Sequence, residues 1–317
     1  MDRLAPSGTR SRRGAASDAL SQPGGAPELL RYRPPLDWPA MLQWLAPRAT
    51  PGVELVTDRL YRRAVRIREH RGVVTIEQEP GVPALRIAAS PSLLPAMVPL
   101  RSRLRHLFDL DADPAIVREH LARDAWLRPL VEQRPGLRVV GAVDGFELAV
   151  RAVLGQQVSV RGASTLAGRL AALLGDPLEG GDASGSPVRL PVRAEQLANA
   201  DESRVAGIGV PRARARTLVT LARATADGRL DLAPGTNPDR ARAALLEMPG
   251  IGDWTADYVL MRALRWPDAF PAADLGLRKA AGGVSAAELT RRAEAWRPWR
   301  AYAAVHLWQS LSERHRA

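Results

Sequence analysis

Between residues 53 and 90, apolar side chains come in short runs rich in Val and Ile. They are VELV (53–56), YRRAVRI (61–67), GVVTIE (72–77) and ALRIAAS (84–90), parted by turn formers such as EPGVP (79–83). Runs of this length with turn residues between them predict an antiparallel sheet. The stretch DWPAMLQWLAPRA (37–49) predicts a helix, with Asp37 as N-cap and Pro39 in the first turn. SLLPAMVPLRSRLRHLF (92–108) predicts a helical segment broken by Pro95 and Pro99. Together these give an α+β domain over residues 29–112. Residues 1–28 are rich in Ser, Gly, Ala, Arg and Pro and lack the apolar segment of a secretory signal. They are expected to be a disordered tail.

From about residue 113 the spacing changes to that of helices. DGFELAVRAVLG (144–155) places Asp144 and Glu147 as a capping box and ends on Gly155. SVRGASTLAGRLAALLG (159–175) repeats the plan, and EGGDASGSP (179–187) is expected to be a flexible surface loop. PRARARTLVTLARATADG (211–228) and PDRARAALLEM (238–248) read as amphipathic helices. SAAELTRRAEAW (285–296) opens on a second box, Ser285 to Glu288, and Pro298 is expected to open the last helix. Residues 113–317 are thus expected to be all-α, with about eight helices and short connections. The fold class is α+β: a small N-terminal antiparallel sheet with helices, followed by an all-α region.

Composition narrows the chemistry. The 317 residues contain no cysteine, which removes disulfides, thiolate zinc sites and iron–sulfur clusters together. It also fits a reducing cytoplasm. The formal net charge is +11, and Lys279 is the only lysine among 45 cationic side chains. Such a surplus favours a polyanionic partner, of which nucleic acid is the commonest. A genome that writes arginine freely accounts for the same count. No apolar run approaches the roughly 20 residues needed to span a bilayer, so no membrane association is expected.

One stretch carries most of the information. EMPGIGDWTADY (247–258) sets Pro-Gly-Ile-Gly between two helical segments, a helix-hairpin-helix. The glycines allow a sharp turn. The amides of Gly250, Gly252 and their neighbours then lie at a helix N-terminus, where an anion such as a DNA phosphate binds without any base being read. An ordinary tight connection between helices has the same spelling. Asp253 would repel a phosphate there unless it turns away to cap the helix. A second glycine turn, VAGIGVPRARARTL (205–218), precedes another basic helix and reads as a further backbone contact or a packed turn. Trp254 and Tyr258 share one helix face, and Trp308 lies mid-helix near the C-terminus. Aromatics so placed either hold a flat ligand or fill a core. Asp274, in FPAADLGLRK, is either a helix N-cap or a carboxylate able to stabilise an oxocarbenium-like sugar and activate water.

LLEMPGIGDWTADYVLMRALRWPDAFPAADLGLRK (245–279) resembles the hairpin, Gly/Pro loop and aspartate signature of the helix-hairpin-helix DNA glycosylases. DGFELAVRAVLGQQVSV (144–160) and AEAWRPWRAYAAVHLW (293–308) narrow this to the 3-methyladenine DNA glycosylase II (AlkA-like) family. YRPPLDWPAMLQWLAPRA (32–49) and EHRGVVTIE (69–77) resemble that family's extra N-terminal domain. The resemblance covers about residues 30–312. It implies that Asp274 is the catalytic aspartate and that Trp254, Tyr258 and Trp308 line the base pocket, open to a cleft and not sealed in a core. It implies DNA contacts from Gly250, Ile251, Gly252 and Thr255 at the hairpin, and from Gln157, where the residue that wedges into the gap left by a flipped base stands. Two departures are Gln157, where an aliphatic is better known, and Leu275, where an aromatic can occur. The partner implied is double-stranded DNA with damaged bases, met by a cytoplasmic monomer. No cofactor or metal is implied beyond a monovalent cation at the hairpin. The lysine that other branches carry two residues after the second hairpin glycine is here Trp254. Hydrolysis of alkylated-purine glycosidic bonds without strand cleavage follows as the expectation. The alternatives are a DNA-binding module without catalysis and a glycosylase for another lesion class.

Overall fold

The computed structural model describes residues 28–178 and 187–314. The expected tail, apart from Glu28, and nearly all of the expected loop at 179–187 lie outside these residues. In chain order the first part comprises β1 (Glu28–Arg31), α1 (Trp38–Leu45), β2 (Glu54–Val56), β3 (Leu60–Ile67), β4 (His70–Gln78), β5 (Ala84–Ala89) and α2 (Met97–Leu107). The strands form one sheet in the order β1-β5-β4-β3-β2, every pairing antiparallel. Four of them match the apolar runs, while β1 has no such run to announce it. Alternation sets the faces. Tyr61, Ile76 and Ile87 lie in register across three strands, and all are buried. They meet Trp38, Leu42, Leu100 and Leu104 from α1 and α2 in one core. Pro95 falls in a 3₁₀ segment, Pro91–Ala96, that runs into α2, and Pro99 sits in the first turn of that helix, where proline is tolerated.

The second part is helical: α3 (Pro114–Leu121), α4 (Arg128–Gln133), α5 (Gly145–Leu154), α6 (Val160–Leu174), α7 (Ala194–Ala198), α8 (Glu202–Ala206) and α9 (Arg212–Ala226). Then come α10 (Pro238–Leu246), α11 (Asp253–Arg262), α12 (Leu275–Ala280), α13 (Ala286–Ala293) and α14 (Arg300–Arg314). Twelve helices among the described residues of this part correct the expected count of about eight. The surplus is in helices of five to eight residues, too short to show a period. The last helix begins at Arg300 and not at Pro298. The caps Asp144, Ser159 and Ser285 each accept an amide hydrogen bond as expected. The boxes do not close, however. Glu147 is drawn instead to Arg63 at 2.7 Å, and Glu288 to Arg291 and Arg292. No helix among the described residues is long and apolar enough to cross a membrane.

The two parts are tied by a buried polar network. Arg63 points inward from β3 and is only 3% exposed. It pairs with Glu147 on α5, and at 3.8 Å with Glu54. Burial works against the charge of Glu54, but Arg63 and Arg151 outweigh it and hold that carboxyl below the usual range. Arg151 of α5 also donates to Thr50 Oγ1 and to the carbonyl of Arg48. The sheet and α5 thereby grip the 46–50 turn after α1, which carries Arg48.

Candidate active site

Between α10 and α11 the hairpin turns as the sequence predicts, but its two glycines do different work. Gly250 has φ +89°, and a Cβ there would fall 2.3 Å from Thr217 Oγ1 on α9. It is therefore glycine for both conformation and packing. Gly252 has φ −106° and is the N-cap of α11, with no side chain capping it. A Cβ there would meet nothing within 4 Å. The α11 N-terminus is thus open to solvent at Gly252 and carries the positive end of the helix dipole.

Asp253 does not cap the helix. Arg242 of α10 takes it at 2.5 Å and Asp257 at 3.1 Å, so one guanidinium shared by two carboxylates offsets part of the negative charge beside the open amides. Ile251 is buried in the core and Thr255 is 3% exposed. Neither side chain faces outward, so any DNA contact from them is through the main chain. The hairpin carbonyls at 248–250 take part in local hydrogen bonds. Met248 O accepts from Ile251 N, Pro249 O from Thr217, and Gly250 O from Gln156 Nε2 at 2.8 Å. Among the described residues, no group of three or more His, Asp or Glu could hold a metal ion. Gln156, absent from the sequence expectations, also donates to Thr255 Oγ1 at 3.0 Å. It clamps the α5–α6 turn to the hairpin, so its neighbour Gln157 stands exposed beside it with φ +57°. The second glycine turn is packed: Arg169 donates to Ile208 O at 2.9 Å and would lie 3.0 Å from a Cβ on Gly209.

The N-cap reading of Asp274 holds. Its Oδ1 accepts the Leu277 amide at 2.9 Å and caps α12. The same oxygen accepts Trp308 Nε1 at 2.9 Å, and Oδ2 accepts Trp254 Nε1 at 2.9 Å. Three N–H groups fix the carboxylate, and Oδ2, with one donor, is the freer oxygen. The side chain is half-buried, not sealed. Such donors lock its orientation.

The aromatics converge as expected, though not as an open set. Trp254 stacks on Tyr258 with centroids 5.4 Å apart and planes at 14°, and Tyr258 meets Trp308 edge-on at 6.4 Å. Trp308 is 9% exposed and belongs to the helical core, which corrects the expectation that it stands clear of one. Trp254 and Tyr258 are half-buried. A sandwiched base needs about 7 Å between rings, twice a van der Waals contact. The contacts among these rings leave no such slot, so a flat ligand has to stack on an outer face.

Three participants were not legible in the sequence. Trp44 of α1 packs on Trp308 at 5.3 Å. The Arg48 guanidinium lies over the Trp44 ring, 3.4 Å from its centroid, and donates to Trp44 O. Arg262 donates to Tyr258 Oη at 2.7 Å and to the Val140 and Gly141 carbonyls. Burial, with Arg262 and Arg151 nearby, lowers Arg48 to about 10, leaving it charged at neutral pH. Burial pushes the Tyr258 phenol up, but Arg262 and Arg48 outweigh it and hold it below the usual range. A pocket between α1 and α14 is lined by Trp44 and Trp308, and Asp274 does not line it.

Residues 29–144 match the AlkA N-terminal domain model, and residues 150–299 match that of the HhH-GPD superfamily base excision DNA repair protein. The chain is 38% identical over 279 residues to DNA-3-methyladenine glycosylase 2 of Escherichia coli, covering 88% of this chain and 95% of that one. It is 41% identical over 311 residues to the probable bifunctional transcriptional activator/DNA repair enzyme AlkA of Mycobacterium tuberculosis. That match covers 96% of this chain but spans only 61% of the relative's length. Among solved structures, the fold matches a 3-methyladenine DNA-glycosylase from Archaeoglobus fulgidus with TM-score 0.77 and 22% identity, over 90% of this chain and 98% of that one.

Proposed function

The chain belongs to the AlkA-like family of the HhH-GPD base-excision DNA repair superfamily, and from that premise we propose that it hydrolyses the N-glycosidic bond of alkylated purines in duplex DNA. The observation that carries this reading is the Asp274 carboxylate held by Trp254, Trp308 and the α12 amide beside an uncapped hairpin helix.

The hairpin amides grip backbone phosphate, and the damaged nucleotide is turned out of the stack. Unstacking costs a few kcal/mol, least for a weakened pair. Gln157, exposed next to the hairpin, takes the space the base leaves. A base alkylated at a ring nitrogen is cationic, and stacking on an electron-rich ring face favours it by about 0.5–2 kcal/mol. The half-buried Trp254–Tyr258 pair offers that face.

The C1′–N bond breaks with its electron pair going to the base, which leaves neutral. The sugar's growing positive charge is stabilised by ionised Asp274, chiefly through Oδ2. Water then adds to C1′, and its proton passes to the carboxylate or to solvent. The result is free base and an abasic site.

The same geometry argues against strand cleavage. The Schiff-base branch needs an amine two residues after the second hairpin glycine. Here that residue is Trp254, engaged with Asp274, and the only lysine, Lys279, is exposed at the end of α12. The reading is tested with end-labelled duplex carrying one alkylated purine. Strand breaks should appear only after alkali. Breaks without alkali would overturn the monofunctional assignment.

A further inference from the structure

Gly276 has no conformational reason to be glycine. Its φ lies outside the left-handed region, and it sits in the first turn of α12, where alanine is the better helix former. The surroundings supply the reason. A Cβ at this position would fall 3.0 Å from Asp274 Oδ1, 3.3 Å from Trp308 Cδ1 and 3.4 Å from Trp308 Nε1. The first two are tighter than an ordinary contact and the third is at its edge, so a neighbour would have to give by a few tenths of an ångström. The missing side chain therefore leaves room at one place, the hydrogen bond from Trp308 Nε1 to Asp274 Oδ1. Gly250 differs, because its neighbour is Thr217 away from the carboxylate, and Gly252 differs, because it has no neighbour at all.

We propose that Gly276 is a positioning residue: its lack of a side chain lets the Trp308 indole reach Asp274 and so sets the attitude of the carboxylate toward the sugar. The proposal rests on the glycosylase reading for its effect on rate, but not for its effect on the hydrogen bond.

A methyl group at 276 has to be accommodated by one of two partners. Trp308 is the harder to move, since it is buried, packed on Trp44 and met edge-on by Tyr258. Asp274 is half-buried, and only its hydrogen bonds hold it. The carboxylate yields by rotating away from the indole. A shift of a few tenths of an ångström stretches the 2.9 Å bond to Trp308 and turns Oδ2 away from its place beside Trp254. Misplacement of a reacting group by about 1 Å costs about a hundredfold in rate, so this smaller shift is expected to cost about tenfold.

The test compares Gly276→Ala with wild type in four readouts. Expected are a melting temperature equal to or above wild type, and unchanged affinity for duplex containing a tetrahydrofuran abasic analogue. Single-turnover base release falls about tenfold, and the Trp308 indole N–H resonance, assigned with Trp308→Phe, moves. In a Trp308→Phe background, where no indole N–H remains, Gly276→Ala should cost markedly less rate than it does alone. An unmoved indole resonance overturns the proposal, whatever the rate. So does a variant that loses stability and release together, which would make Gly276 a packing residue only. If wild type itself releases no base, the glycosylase reading fails, while the resonance still decides whether Gly276 positions the pair.

Discussion

Replacing Asp274 with asparagine removes one charge while nearly preserving shape, and the structure says what else it does. Oδ1 serves two donors, Leu277 N and Trp308 Nε1, so the amide oxygen will settle there. The amide NH₂ then replaces Oδ2 and faces Trp254 Nε1–H, donor against donor, across a former 2.9 Å hydrogen bond. Leaving a half-buried indole N–H unsatisfied costs about 1–3 kcal/mol. In a chain of this size that lowers the melting temperature by a few degrees. Loss of the charge is the larger effect. Removing one group that stabilises developing charge costs about 10²–10³ in rate. The assay is single-turnover release from alkylated duplex, with melting and affinity for an abasic analogue measured on the same preparations. Asp274→Asn is expected to release base at least about a hundredfold more slowly, with affinity nearly kept. Pairing it with Trp254→Phe removes the clash, so the double variant should regain stability and stay inactive. A single variant that turns over within an order of magnitude of wild type would refute the assignment of Asp274. So would a double variant that regains activity along with stability.

Gly252→Ala meets no atom within 4 Å, so thermal stability should hold while affinity for every duplex sequence falls together. Unchanged affinity would move the phosphate grip elsewhere. Gly250→Ala should lose about 2–4 kcal/mol, from a left-handed backbone and overlap with Thr217, measured by denaturant unfolding. His106 and His306 supply a pH dependence. Burial, reinforced at His106 by Arg265, holds both near 4 against 6.5 when unfolded. The unfolded chain therefore binds the extra protons, and stability should fall as pH drops from about 6.5 to about 4, staying level above that window. His106→Gln, which can still donate to the Ala263 carbonyl that His106 Nε2 meets at 2.7 Å, should flatten the fall by about half in a series of melts.

What the sequence revealed was local, and what it hid was long-range. The four main strands, the caps at Asp37, Asp144, Ser159 and Ser285, and the glycine hairpin depend on neighbours within a few residues, and each shows in the spelling. Glu147 shows where that stops. Its spacing from Asp144 spells a capping box, yet a buried arginine 84 residues away claims its side chain. Trp44, Arg48 and Arg262 went unseen for the same reason, since nothing near Arg48 in the chain says it will lie beside Tyr258. Asp274 was ambiguous because a capping aspartate and a catalytic one are spelled alike, and the indoles of Trp254 and Trp308 that hold its carboxylate lie 20 and 34 residues away. The short helices α3, α4, α7 and α8 escaped because one or two turns carry no period.

The central claim is that this carboxylate, hairpin and aromatic set release alkylated bases from DNA. Mass spectrometry of the small molecules freed from methylated duplex DNA tests it most directly. The account predicts free methylated purines, 3-methyladenine among them, with wild-type protein. It predicts almost none with Asp274→Asn and no strand breaks until alkali is added. Binding to the same DNA with no free base in solution would contradict it, and would leave the chain a DNA-binding protein without this chemistry.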